Sequence, residues 1–441
     1  MSEAETTVEI LTEIEKISVI DSHEHLNPEA ERIKRDTDVL EMIDDYVIGD
    51  LHAAGCPPEV AEKIVDPKGE IAPRWELLAP YWPKIRNGSY ARMWIRTLKD
   101  LFDCQELSAA ALAEATEKMR QANQPGWHKQ VLKERCNIAI SVLDNPDFGT
   151  DCDRELFIPV IRPGYPNALY SRQPDRPKPA THELIVARSQ GEIEKLSAAA
   201  DTAIHSLDDL ATAAQTYIGN SKQNGAVALK IGLAYQRSLK WDKVTHHEAE
   251  SRFNRIFDHL GEGLSWAEAK PLQDYMLHKC VQAAMENDMT IIFHTGIQAG
   301  GNNLIANTNP TLLSNLLLEY KQARFDLFHA GYPYARECGV LAKYFSNVWV
   351  DLAWMHIISA GGTRQILRDW LDLVPANKII GFGGDLDHVE LVYGHLYEAR
   401  RNIAQVLAER VERGDDTMDE AIRIAQFLLH DSPAEAFNLS L

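Results

Sequence analysis

A chain of 441 residues, 45% hydrophobic and 25% charged, can bury a large core, and its formal charge of -20 works against nucleic acid or anionic membrane surfaces as partners, since both demand a basic face. The six cysteines have no Cys-x-x-Cys spacing, so neither a zinc knuckle nor a disulfide framework is indicated. The N-terminus carries no basic-then-apolar leader and no run is long enough to span a bilayer, so a reducing cytoplasm is the expected home.

In chain order, Val8, Leu11 and Ile14 stand at helical spacing and predict a short leading helix over 7–16. The apolar run Ile17–Ile20 then predicts a first strand that leads into Asp21-Ser22-His23-Glu24-His25. Side chains alternate along an extended chain, so His23 and His25 face one way and can reach one metal ion, with Asp21 one step deeper on the same face. From Asn27 onward the pattern is helical and rich in aromatics, among them Trp75, Trp82 and Trp94. Residues 27–130 are therefore read as a helical insertion over the end of the first strand, its aromatics chiefly helix core. Within it Ser108 is a fitting N-cap for the helix predicted from Ala109 to Asn123.

Seven further short apolar runs follow: Cys136–Val142, Leu156–Ile161, Ala226–Ile231, Thr290–His294, Arg324–His329, Asn347–Leu352 and Lys378–Phe382. Helical stretches separate most of them, namely Ile193–Tyr217, Pro271–Asn287, Leu312–Tyr320, Arg336–Tyr344 and Gly362–Leu373. Strands alternating with helices mean parallel pairing through crossovers, and eight such units predict an α/β fold of the (β/α)8 TIM-barrel type. No glycine-rich dinucleotide fingerprint follows the first strand, which counts against a Rossmann sheet. Ile403–Glu412 and Met418–Leu429 read as closing helices, and Arg172–Pro179 as part of a long loop after strand three. With no repeat or linker, residues 1–441 are expected to form one barrel domain that contains the insertion.

Active sites in such barrels gather where the strands end at their C-terminal side. Strand one ends in His23 and His25, strand four contains Lys230, strands five and six end in His294 and His329, and Asp385 follows strand eight. Nitrogen and oxygen ligands of this kind suit zinc, manganese, iron or nickel and leave a position open for water or substrate. Tyr235 and Arg237, in the loop after strand four, are candidate carboxylate binders, and Trp354 and His356, beyond strand seven, candidate pocket walls. The polar loop Gly300-Gly301-Asn302-Asn303 is a candidate gate.

The order His-x-His, strand-four Lys, strand-five His, strand-six His, strand-eight Asp resembles the metal-dependent amidohydrolase superfamily. Phe293-His294-Thr295-Gly296, Leu327 through Tyr332 and Gly381-Phe382-Gly383-Gly384-Asp385 are similar to the amidohydrolase-related branch of decarboxylases and hydrolases. His23 through Pro28 with the long insertion, and Asp385 through His388 leading to Tyr393-Gly394-His395, resemble uronate isomerase. Two departures stand against the latter: Leu386-Asp387-His388 follows Asp385 where Ser-Arg is usual, and His329 is present where strand six generally lacks histidine.

The resemblance implies one divalent ion, zinc before manganese, iron or nickel, on His23, His25, His294 and Asp385, with Asp385 also carrying a proton and His329 orienting the substrate. Lys230 stays open. Carboxylated, it would bridge two ions with His294 and His329 on the second; unmodified, it would anchor an anionic substrate. The first expectation is a metal-dependent hydrolase acting through an activated water on a small anionic carbonyl-type substrate. The alternative is uronate isomerase-like or non-oxidative decarboxylase activity on a carboxylated substrate, and a homo-oligomer is expected. A non-catalytic barrel serving as an assembly module is disfavoured by the intact ligand set.

Overall fold

The computed structural model describes residues 3–146, 149–163, 193–235, 237–258, 266–301 and 303–440. Eight strands occupy its centre: β1 (Val19–Glu24), β2 (Ile138–Leu143), β3 (Phe157–Ile161), β4 (Ala228–Ile231), β5 (Thr290–Phe293), β6 (Phe325–Leu327), β7 (Val348–Asp351) and β8 (Ile379–Ile380). Each pairs in parallel with the next in chain order. They are covered on both faces, which is why they read as near-continuous apolar runs rather than as alternating ones. Every residue of β1, β4 and β5 is buried.

The ring closes differently at its last seam. Among the described residues no ladder joins β8 to β1, and the gap is crossed by single backbone bonds. The Ser22 N–H donates to the Phe382 carbonyl (3.1 Å), the Asp385 N–H to the His23 carbonyl (2.8 Å) and the His25 N–H to the Leu386 carbonyl (3.1 Å). The eight-stranded, nearly closed TIM-like barrel is thus the fold expected from the alternation of strands and helices.

The leading helix α1 (Glu3–Ile14) lies against the long closing helix, with Ile10 and Ile14 fully buried. Between β1 and β2 the chain is helical, including α2 (Ser89–Phe102) and α3 (Ala109–Ala122), the latter capped by the Ser108 side chain accepting from the Ala111 N–H. Trp94 and Leu98 of α2 are fully buried in a core continuous with that outside the barrel. The helix predicted from Ile193 to Tyr217 is instead two: residues 193–200, then α4 (Leu207–Gln223), which starts at a capping box of Ser206 and Asp209. The helix before β5, α5 (Trp266–Glu286), carries Pro271 near its start, and the closing helix α6 (Val389–Arg413) begins well before the predicted Ile403. Part of the Gly300–Asn303 loop, and all of Arg172–Pro179, lie outside the described residues. All six cysteines are free thiols. No helix among the described residues is long and apolar enough to cross a membrane.

Candidate metal centre

β1 delivers its histidines as the alternation rule requires. His23 is completely buried, while the His25 ring retains 25% exposure at the floor of a cavity of about 420 Å³. Asp385 meets both from across the β8–β1 seam, with its Oδ1 3.3 Å from His23 Nε2 and 3.0 Å from His25 Nε2. It gets there because the chain after β8 runs close against β1: a Cβ on Gly384 would collide with the Glu24 carboxyl, and one on Gly383 with Ser22 and Ala353. Asp385 itself has φ 58°, and the site residues Trp354 (67°) and His329 (60°) share that left-handed conformation. Non-glycine residues adopt it at a cost of order 1–3 kcal/mol each, and such residues cluster at functional sites.

His329 therefore does not end a strand, as its position in sequence suggested. β6 stops at Leu327, and the turn at His329–Ala330 swings the imidazole inward, where its Nε2 lies 3.1 Å from His294 Nδ1 and 3.8 Å from Asp385 Oδ2. Lys230 Nζ completes the cluster, 3.4 Å from His23 Nε2 and 3.7 Å above the Phe328 ring.

The hydrogen-bond partners fix which ring nitrogens are bare. His25 Nδ1 faces the Asp144 carbonyl (2.7 Å), His329 Nδ1 the Ala353 carbonyl (3.0 Å) and His294 Nε2 the Ile297 carbonyl (2.9 Å). A carbonyl only accepts, so those nitrogens carry the hydrogens and the opposite ones carry lone pairs. The consequence is acceptor against acceptor: His25 Nε2 meets a carboxylate oxygen, and His294 meets His329. A shared proton or a metal ion reconciles them, and His23, His25 and Asp385, whose ligand atoms lie within 4.8 Å of one another, are a donor set that fits a divalent metal ion. His294, expected as a fourth ligand, stands outside that triad with its lone pair toward His329.

Burial sets the protonation of the cluster. It pushes His23 down to about 3 and His329 to about 4, with the Lys230 charge adding to both, and it takes His294 well below the usual imidazole value. Burial opposes charge on His25 as well, but the bond and charge of Asp385 outweigh it and raise this residue. Asp385 is likewise buried, yet its contacts with His23 and His25 hold it well below the ordinary carboxylate range. Lys230, desolvated, falls to about 8.

Tyr235 and Trp354 line the cavity as expected, but Arg237 and His356 do not. After β4 the chain makes a short turn of helix, Leu233–Tyr235, that sends Arg237 back toward α5, where it pairs with Asp274 (2.8 Å), bonds Gln273 (3.1 Å) and stacks on Trp241. His356, fully buried behind the wall, has Nε2 2.8 Å from the Gly381 carbonyl. The cavity's arginine is instead Arg162, just beyond β3, whose Nε and Nη2 grip both oxygens of Asp144 (2.7–2.9 Å). Asp144 in turn lies 3.9 Å from His23 Nε2; burial disfavours its charge, but Arg162, His25 and His23 prevail and bring it to about 2. Neither residue was singled out from sequence, although both directly follow a strand and the strand-end rule points at them. Tyr46 and Asp45, from the insertion, and Asp387 also line the cavity and had no such signal. The Tyr46 hydroxyl donates to the Asp385 carbonyl, and its ring lies 4.5 Å from that of Trp354.

Residues 248–423 match the family model described as Amidohydrolase. That match spans less than half of the chain and takes in His294, His329 and Asp385. Two solved structures are similar in fold over nearly the whole chain: uronate isomerase from Thermotoga maritima (TM-score 0.78, 18% identity, 98% of this chain and 97% of that one) and glucuronate isomerase from Caulobacter crescentus (TM-score 0.78, 15% identity, 100% and 95%). At these identities the likeness is one of fold. The protein fluG of Emericella nidulans is 26% identical over 216 residues, 47% of this chain, and the matched part spans about a quarter of that relative (25%).

Proposed function

We propose that this protein is a metal-dependent enzyme that acts on a small carboxylated substrate by proton transfer beside a carbonyl, in the manner of a uronate isomerase. The observation that carries the reading is the convergence of possible ligand atoms from His23, His25 and Asp385 beside a polar cavity whose described lining also presents two cations, Lys230 and Arg162. The divalent ion that fits this set, zinc, manganese, iron or nickel, supplies Lewis acidity toward a carbonyl or hydroxyl oxygen. Lys230 and Arg162 attract the carboxylate, the task first assigned to Arg237. His329 Nε2 and Asp385 Oδ2 stand 3.8 Å apart, so a proton taken from the substrate at either atom has a second acceptor beside it. Tyr46 and Trp354 wall the cavity and limit water.

The full-length likeness of fold to uronate isomerases favours this over the hydrolase first expected from sequence. Hydrolysis is the second reading, favoured by one observation: Lys230 and His329 crowd the triad, adding a cation and a base that would suit attack by water on an acyl carbon. The deciding experiment loads the protein with zinc or manganese and incubates it with glucuronate and galacturonate. Ketose formation is the expected result. Absence of ketose from either sugar acid, together with release of product from an amide or ester panel, overturns the isomerase reading in favour of the hydrolase.

A further inference from the structure

One wall of the cavity is built for a positive charge. Asp45, from the insertion, and Asp387, two residues beyond Asp385, both face it, each from a different part of the chain. The Asp45 side chain is only 4% exposed, and its Oδ2 has no hydrogen-bond partner among the described residues; the nearest ionisable nitrogen is His388 Nε2, 4.0 Å from the other oxygen. Asp387 opens into the cavity and has no ion-pair partner among the described residues. A third group on the same cavity is stranded in the opposite sense. The indole N–H of Trp354, a residue 2% exposed, has no acceptor.

Buried polar groups are almost always paired, and a carboxylate is costly to bury without a cation: the Asp387 and His388 backbone N–H groups favour the charge of Asp45, yet burial and the Asp387 charge outweigh them and push it well above the ordinary carboxylate range. Two acids crowded on one wall repel each other, and what relieves both at once is a group bearing several N–H donors and a positive charge. Among the described lining residues neither cation pairs with these acids: Arg162 closes on Asp144, and Lys230 sits over Phe328 beside His23.

We infer that the substrate is zwitterionic, a small amino-carboxylate whose ammonium group is held between Asp45 and Asp387, with the Trp354 N–H donating to one of its oxygens. A sugar acid bearing only hydroxyls supplies weaker donors and no charge to this wall. The inference rests on the reading of this cavity as the substrate site, but it does not depend on which reaction follows.

The test uses metal-loaded full-length protein and a series of probes: β-alanine, 4-aminobutyrate, 5-aminopentanoate and 6-aminohexanoate, each paired with the alkanoate of equal length, and glucuronate, with binding followed by calorimetry. At least one amino acid in the series binds tenfold or more tightly than its alkanoate and more tightly than glucuronate, and Asp387→Asn brings that ratio close to one. Asp45→Asn does the same, and metal content in Asp387→Asn matches the parent. Equal binding of amino acids and alkanoates, tighter binding of glucuronate, no binding by any member, or a preference untouched by Asp387→Asn overturns the inference. Ketose formation from glucuronate is read separately, so a failed isomerase assay and a failed charge preference are told apart.

Discussion

Asp385 is the single side chain on which the cluster turns, because one of its oxygens faces two imidazole nitrogens while the other looks toward His329. Asp385→Asn keeps the shape and removes the charge. Turnover is expected to fall by about 10²–10⁴-fold, the usual worth of a positioned acid or base, and the melting temperature to fall as well, because a carboxyl held so low by its neighbours stabilises the fold at neutral pH. Retained turnover in a steady-state assay would remove Asp385 from the chemistry. Asp144 permits a different test, since its carboxyl is brought from 3.8 to about 2 by its neighbours. A depressed carboxyl contributes stability that is complete above its unfolded value and is lost as pH falls through its folded one. Asp144→Asn should therefore cost about 2 kcal/mol at neutral pH and flatten the loss of stability between about pH 4 and 2, measured by urea unfolding.

At this scale the sequence was legible where a residue type and a strand end coincided, as for His23, His25, Lys230 and Asp385. Asp144 and Arg162 obey the same rule and were passed over because an Asp and an Arg after a strand are common. Arg237 shows the limit from the other side, since nothing in Tyr235-Gln236-Arg237 says that the chain doubles back toward Asp274.

Among the elements, the segment after β8 bears the tightest constraint. Gly383 and Gly384 let it press against β1, and that pressure is what carries Asp385 to the histidines. Gly384→Ala is expected to destabilise by about 1–3 kcal/mol or more, the cost of overpacking a filled interior, and to reduce bound metal; unchanged metal content by atomic spectrometry would show that the segment has room to spare. Element boundaries were the less readable part of the fold. β6 ends early because His329 and Ala330 turn left-handed, a conformation no local propensity announces. The break between residue 200 and α4, by contrast, was written in Ser206 and Asp209, a reciprocal cap that a count of apolar periodicity overlooks.

For the whole molecule, the centre sits on the seam that lacks a strand ladder among the described residues, so an ion bound there would link the first strand to the segment after the last. Chelation should lower the melting temperature, by an amount that grows with the logarithm of metal concentration and reaches about 4 kcal/mol at a thousandfold excess over Kd. Hydrogen exchange at Ser22, His25 and Asp385, whose amides cross that seam, should accelerate more than at β4–β5. Equal acceleration everywhere would mean that the ion stabilises the barrel without fastening it.

The seam also dictates when the candidate ligand set is complete. His23 and His25 leave the ribosome long before Asp385 and the helix behind it, so a growing chain holds only part of the ligand set while the strands between them are made. A nascent chain stalled before Gly381 has its two imidazoles without Asp385, and the triad that fits an ion is assembled only after the final turn of the barrel has come home.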